Sequence, residues 1–561
     1  MKRVQPFALI CSLFRHQYVM PLICILLFST LQGCTIQPSP LSPEEHQQRV
    51  LEDQQALYAN QEAFAGPLSL ELAIARALKY NYDHRLAMME AAFHDQQLTA
   101  ATYAMLPKLA VNAGYTQRDN ELASSSISYQ THKETLEPSL STEKDRRTAD
   151  LTLTWTILDF GISYFQAKQQ ADRLLIMLER KRRVVNNIVK EVIGAYWKAL
   201  AAQRLLPLLE KTLQDSQVAL DSYETLQQKR LSPPLETLEQ HRDLVSIVSQ
   251  LHRLQADMLM SRTKLAALIN VPVHMPFAIA QPDAYLLTPP QLNASLEELE
   301  NKGLALRPDL REEAYQERID KADIHKEIIR MLPNATLFIG ANYDSNKYLV
   351  HNDWSELGAR ATMGLFNLIT GPMHIQAANT KLDVTRTHRL AQTVAALVQI
   401  NLSYYQYIQA VEDYNYSKKI NELEEQILAI AKSERELEAQ GKLGLIRHSV
   451  SAVRAQIEHG RALADMHLFW GNMYFSLGGD LVPLDAADAD LSTMAVAIRA
   501  HMQRWWRGML PFAAQPPQSG QEQPATSLLT QEKSASLVAS GEPVSLSSER
   551  EEHDTPGKDA L

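Results

Sequence analysis

Apolar residues follow two rhythms along this chain, and the pair of rhythms occurs twice. In PKLAVNAGY, Leu109, Val111, Ala113 and Tyr115 interleave with Lys108, Ala110, Asn112 and Gly114. In ADLTLTWTI, Leu151, Leu153, Trp155 and Ile157 oppose Thr152, Thr154 and Thr156. A period of two predicts strands with one apolar and one polar face. PNATLFIGANY and LGARATMGL repeat the pattern less cleanly: Phe338 falls on the polar side, while Arg360 and Thr362 oppose Ala359, Ala361 and Met363. After each strand pair the period lengthens. Between about Ile162 and Gln228, Leu174, Leu178, Val185, Ile188 and Val192 recur at coiled-coil spacing, which predicts a helix ~100 Å long. Pro207 inside it predicts a kink or break. KRLSPPLE then turns the chain into a returning helix from about Leu235 to Leu268. In the second half a helix from about Ile375 to about Ala439 meets QGKLGLIR, and another returns to YFSLGGD.

The two halves are copies of one plan. LSLELAIARALKYNYDHRL from Leu68 aligns with ASLEELENKGLALRPDLRE from Ala294, and at the same offset Met105-Leu106-Pro107 meets Met331-Leu332-Pro333. Gly114 meets Gly340, and Asp83 meets Asp309. Ser69 and Ser295 stand before helical Leu-Glu pairs and can cap them. Strands of this length, apolar on one face, suit an outer-membrane barrel. A half-buried soluble sheet would explain any single strand equally well. Four strands cannot close a barrel, and lipid forbids an open edge, so several chains would have to pool theirs.

The N-terminus changes the picture of location. Lys2, Arg3 and Arg15 precede an apolar run from Val19 to Leu31, as in a secretory signal. Leu31-Gln32-Gly33-Cys34 resembles a bacterial lipoprotein box, although Gln32 is untypical there. The resemblance implies acylation of Cys34, and Thr35 after it implies outer-membrane sorting. No apolar run of ~18 residues follows, so any further crossing must use strands. The 561 residues carry a formal charge of −10, which gives no electrostatic case for nucleic acid.

In this order, twice, the motifs carry a resemblance. LSLELAIARAL from Leu68, LRPDLREEA from Leu306, the two Met-Leu-Pro strand starts, GLFNLITGP from Gly364, LAALINVP from Leu265 and FSLGGD from Phe475 resemble the TolC family of outer-membrane efflux and secretion ducts, specifically its lipoprotein members. The resemblance implies a mainly α fold with a small β part: a homotrimer sharing one twelve-stranded barrel, continued by a long periplasmic α-helical barrel. Residues 1–33 would be the signal peptide and 34–66 a lipidated segment. Residues 67–270 and 294–480 would be the two repeats, with 271–293 as linker, 481–513 an equatorial or interfacial helical segment, and 514–561 a disordered tail. Loops at roughly 116–149 and 344–356 would lie outside the cell.

The implied partners are a periplasmic adaptor (a membrane fusion protein), an inner-membrane transporter of the RND or ABC type, and outer-membrane lipid. The helix reversals 229–236 and 441–447 would form the periplasmic tip, with Arg230, Leu231, Ser232, Gly441, Leu443 and Gly444 as adaptor contacts. Glu236, Glu239, Arg447 and Arg454 are the aperture candidates, and a Glu236–Arg447 latch is expected. LIRHSVSAVRAQ departs from the family pattern by lacking an aspartate pair, which implies a less cation-selective mouth if its arginines line it. The function expected is a passive exit duct for drug or small-molecule efflux or type I secretion. The alternative is a periplasmic coiled-coil scaffold without a pore.

No enzyme, cofactor or metal site is expected. HRDL at His241 matches a kinase loop only in part, with Val248 where asparagine is needed. The histidines show no zinc spacing, and NAS at Asn293 is a chance sequon.

Overall fold

The computed structural model describes residues 39–63, 66–135, 137–228, 234–435, 442–480 and 489–509. The signal-like segment, Cys34 and residues 514–561 fall outside them. Helix α1 (Pro43–Leu57) opens with a Ser42/Glu45 capping box, and α2 (Leu70–Tyr80) is capped by Ser69. Asn81 caps α3 (Tyr82–Tyr103), which leads through Met105-Leu106-Pro107 into β1 (Lys108–Gln117). A small hairpin, β2 (Ala123–Ser124) with β3 (Ser139–Leu140), interrupts the long loop before β4 (Asp145–Thr156).

Strand β4 passes straight into α4 (Ile157–Gln228), and α5 (Pro234–Leu268) returns. The second half repeats the order: α6 (Leu296–Leu306), α7 (Pro308–Arg330), β5 (Asn334–Asp344), β6 (Asp353–Thr362), α8 (Leu365–Arg435) and α9 (Lys442–Ser476). A last helix, α10 (Leu491–Trp506), follows.

Two helices differ from the sequence expectation. Helix α4 runs through Pro207 without a break. Leu205, Leu206 and Leu209 beside it are clamped in an apolar core with Leu251 and Leu254 of α5 and Val450, Val453 and Ile457 of α9. That packing offsets the lost hydrogen bond, about 3 kcal/mol in a free helix. Helix α8 begins at Leu365, not near Ile375, and carries Pro372 internally.

At three levels the chain builds one wall, four elements wide. The sheet runs β1–β4–β5–β6, antiparallel throughout. Next to it the helices pack in the order α3–α4–α7–α8, and further along in the order α5–α4–α9–α8. Helices α7 and α9 share the place between α4 and α8, meeting end to end. At that joint Gly478 has φ +74, and an added Cβ would stand 2.6 Å from the Leu306 carbonyl, so glycine alone fits. Arg307 ties the same joint, bonding Asp309 twice, Ser476 O at 3.1 Å and Gln399 Oε1 at 2.8 Å. Burial raises the Asp309 pKa, but the Arg307 guanidinium wins and holds it below the usual carboxylate range.

The main core surrounds this joint. Helix α10 lies against α2 and buries Leu491, Met494, Ile498, Met502, Trp505 and Trp506. His467 of α9 is sandwiched between Trp197, at 3.8 Å, and Trp506, at 4.8 Å, with Trp470 stacked on Trp505 beside it. Burial pushes the His467 pKa down to about 3, and the neutral ring bonds Leu286 O at 2.9 Å.

Phe338, the outlier of the strand pattern, has a structural partner. It pairs with Gly358, and its ring covers that glycine so closely that an added Cβ would stand 2.2 Å from Cζ. A glycine inside a strand is thus covered by a cross-strand aromatic. Gly358→Val should expel the ring and cost about 1–3 kcal/mol. The check is thermal unfolding of the purified protein, with a lower midpoint expected for the variant; an unchanged midpoint would mean that the ring does not depend on the glycine.

Candidate functional site

The sheet sorts its side chains across all four strands, not only along each one. Register aligns Leu109, Leu153, Ile339 and Leu357 in one row, and Trp155, Leu337 and Ala359 in another. These rows share a face, and their large side chains are exposed in the single chain. The opposite face carries Asn112, Asp150 and Asn342 in one row, which ends on β6 at Trp354, and Ala110, Thr152, Gly340 and Glu356 in the next. Asn112 donates to Asp150 at 2.8 Å. One face suits hydrocarbon and the other water. The loops beyond the strands are tied together: Asn346 donates to Ser141 O at 2.9 Å, and Lys347 pairs with Glu143 at 3.1 Å.

Both edges of every level lack a partner among the described residues. Strands β1 and β6 each pair on one side only. Helix α8 exposes Leu390, Val394, Val398, Leu402 and Tyr405, then Tyr416, Ile420, Leu423, Ile427 and Ile430. The last five step by four, three, four and three residues, the seam of a coiled coil. On the opposite edges α3 exposes Tyr82, Leu86, Met89 and Phe93, and α5 exposes Leu238, Val245 and Leu259 at heptad spacing.

Near the tip, an ion pair among the described residues joins the two hairpins. Arg447 of α9 reaches Asp243 of α5 at 3.4 Å, the two side chains being 45% and 44% exposed. Arg242 also pairs with Asp243, at 2.9 Å. Glu239 is exposed one turn before Asp243, and Arg454 is exposed two turns beyond Arg447 on the same helix face. Glu236 falls in the first turn of α5 and Leu443 in the first turn of α9, but their side chains are not among those described. The expected Glu236–Arg447 latch therefore lies outside the described side chains. Gly444 is exposed, with open space where a side chain would project. Arg230, Leu231, Ser232 and Gly441 lie outside the described residues.

Asp243 is the tip residue that sequence reasoning missed. It belongs to the HRDL tetrapeptide dismissed as a chance match. Its signal was spacing: Glu236, Glu239 and Asp243 stand three and four residues apart, which places them on one helical face.

The Outer membrane efflux protein family model matches residues 73–271, from α2 to just past α5. Solved outer-membrane channels match over both halves. The open state of the Neisseria gonorrhoeae channel MtrE is 16% identical, with 73% of this chain and 89% of that one covered and a TM-score of 0.56. The Campylobacter jejuni channel CmeC is 12% identical, with 83% and 97% covered and a TM-score of 0.59. The Vibrio cholerae outer membrane protein VceC is 14% identical, with 73% and 96% covered and a TM-score of 0.54. No curated protein matches the chain in sequence. The fold is that of outer-membrane channels built from paired strands and long helical hairpins. Within that class, residues 73–271 match the outer membrane efflux protein family over the first of the two repeats.

Proposed function

We propose that three copies of this chain form a passive exit duct across the outer membrane, fed by an inner-membrane RND or ABC transporter through a periplasmic adaptor. The observation that carries this reading is the repeated two-edged wall. Strand edges β1 and β6, and the apolar seams of α3, α5 and α8, each need a cover, and another copy of the same wall offers one at all three levels. In lipid the unpaired strand edges would be prohibitive. A heterologous, head-to-tail interface of this kind closes into a ring. With four strands from each copy, three copies give twelve.

Cys34 would anchor the assembly by its acyl chain, and the tips would meet the adaptor through residues 230–232 and 441–444. Arg447 with Asp243, repeated around the ring, would hold the aperture narrow, and an open state is known for the gonococcal channel. Glu239 and Arg454 would set the charge at the mouth. Cargo would be chosen by the pump, whether a drug, another small molecule or a secreted protein. A pore-free scaffold has no use for a sheet with one face of Leu109, Leu153, Ile339 and Leu357 turned outward. Native mass measurement of the purified protein in detergent tests the reading. Three chains per particle are expected, and a monomer or dimer under conditions that keep the fold would contradict it.

A further inference from the structure

The two repeats make the seams of the sheet comparable. Lys108 and Asn334 each follow a Met-Leu-Pro start, and Gly114 and Gly340 stand equally far beyond them, so β1 matches β5 residue for residue. Lys108 pairs with Thr154 and Asn334 pairs with Thr362, so β4 matches β6 with Thr154 on Thr362. The remaining seam, β4–β5, joins the last strand of one repeat to the first strand of the next. Its counterpart joins β6 to a β1. The β1 of the same chain lies at the far edge of the sheet, with β4 and β5 in between, so the matching strand belongs to a second copy.

Carried over to β6 and β1, the β4–β5 register names each partner. Leu153 opposite Ile339 becomes Ala361 opposite Ala113, and Thr152 opposite Gly340 becomes Arg360 opposite Gly114. Thr148 opposite Asp344 becomes Glu356 opposite Arg118, one residue past β1, where the Arg118 N–H still donates to Lys144 O at 3.0 Å. Two features that played no part in this derivation fit it. The exposed Arg360 falls opposite a glycine, which leaves room for its long side chain to lie across β1. Glu356, exposed and without an ion-pair partner among the described residues, falls opposite a guanidinium. Opposite charges directly across a strand pair attract. A slip of two residues would set Glu356 against Thr116 or Asn120 instead, and a slip of one would turn Ala361 and Met363 away from the face of Val111, Ala113 and Tyr115.

We propose that β6 of one copy pairs antiparallel with β1 of the next in this register, with Glu356 and Arg118 forming an ion pair between copies. The proposal rests on the trimeric duct and goes beyond it by fixing which residue meets which. The test is oxidative cross-linking of the purified full-length protein in detergent. Residues directly opposite in an antiparallel pair stand about 4.5–5.5 Å apart at Cα, within disulfide reach, whereas those displaced by two stand about 7–8 Å apart. Ala113→Cys with Ala361→Cys should give covalent trimer on a non-reducing gel, at least tenfold more than Val111→Cys or Tyr115→Cys combined with Ala361→Cys. The single variants set the background due to Cys34. Native mass measurement of the reduced proteins separates this proposal from the duct. Three chains per particle with cross-linking at Val111 or Tyr115 instead, or with none above background, would overturn the register and leave the duct standing. Single chains would overturn both.

Discussion

Ile420→Glu with Leu423→Glu leaves the purified protein as folded single chains at micromolar concentration, where the duct reading makes the parent protein a trimer. Both side chains are exposed in the single chain, in the middle of the α8 seam, and the duct reading covers them with the next copy. Burying an unpaired carboxylate costs several kcal/mol. With two such groups at each of three interfaces, the penalty exceeds what ordinary packing elsewhere along the edge can offset. The exposed position protects the fold of the single chain itself, so circular dichroism should report an unchanged helix content. Light scattering or native mass measurement reads the outcome. An intact trimer would place the α8 seam on the outside of the assembly and remove the main argument for closure along it.

Arg447→Glu raises basal conductance. The Arg447–Asp243 pair is half exposed, so it is worth only about 0–1 kcal/mol alone. Charge reversal does more than delete the pair, because it sets a carboxylate against Asp243 with Glu239 one turn away. Taken as about 1 kcal/mol per copy, three copies shift the opening equilibrium by about 3 kcal/mol, roughly a hundredfold. The effect should shrink in molar salt, where the screening length falls to about 3 Å. Asp243→Arg in the Arg447→Glu background should restore the closed state. A conductance that ignores both substitutions would leave the pair as surface charge.

Much of this architecture was legible in the sequence because the signals were periodic. Period two located β1 within two residues and the internal copy located β5 despite Phe338, but β4 and β6 each begin four residues earlier than the pattern said, at Asp145 and Asp353, inside the stretches expected as loops. The outlier was readable only with the register in hand, since nothing local says that residue 338 faces Gly358 across the sheet. Pro207 misled for a similar reason. The rule that proline breaks a helix describes a helix alone, whereas here α5 and α9 clamp the apolar turns on either side of it.

The tip was legible as a place but not as a set of contacts. The turn motifs and the acidic stripe lie in the sequence, yet the choice of Asp243 as the described partner of Arg447 depends on how far α5 and α9 slide past one another. The sandwiched His467 was equally hidden, because Trp197 and Trp506 meet it only through the packing of α4, α9 and α10.

The measurement that tests the central claim most directly is single-channel current through the purified protein in a planar bilayer, across several salt concentrations and both polarities. A water-filled duct closed by three copies predicts discrete, uniform current steps, with the Arg447→Glu protein conducting more than the parent and Ile420→Glu with Leu423→Glu conducting not at all. Silence from verified, inserted trimers, persisting after the tip charges are removed, would contradict the duct and return the scaffold reading to the front.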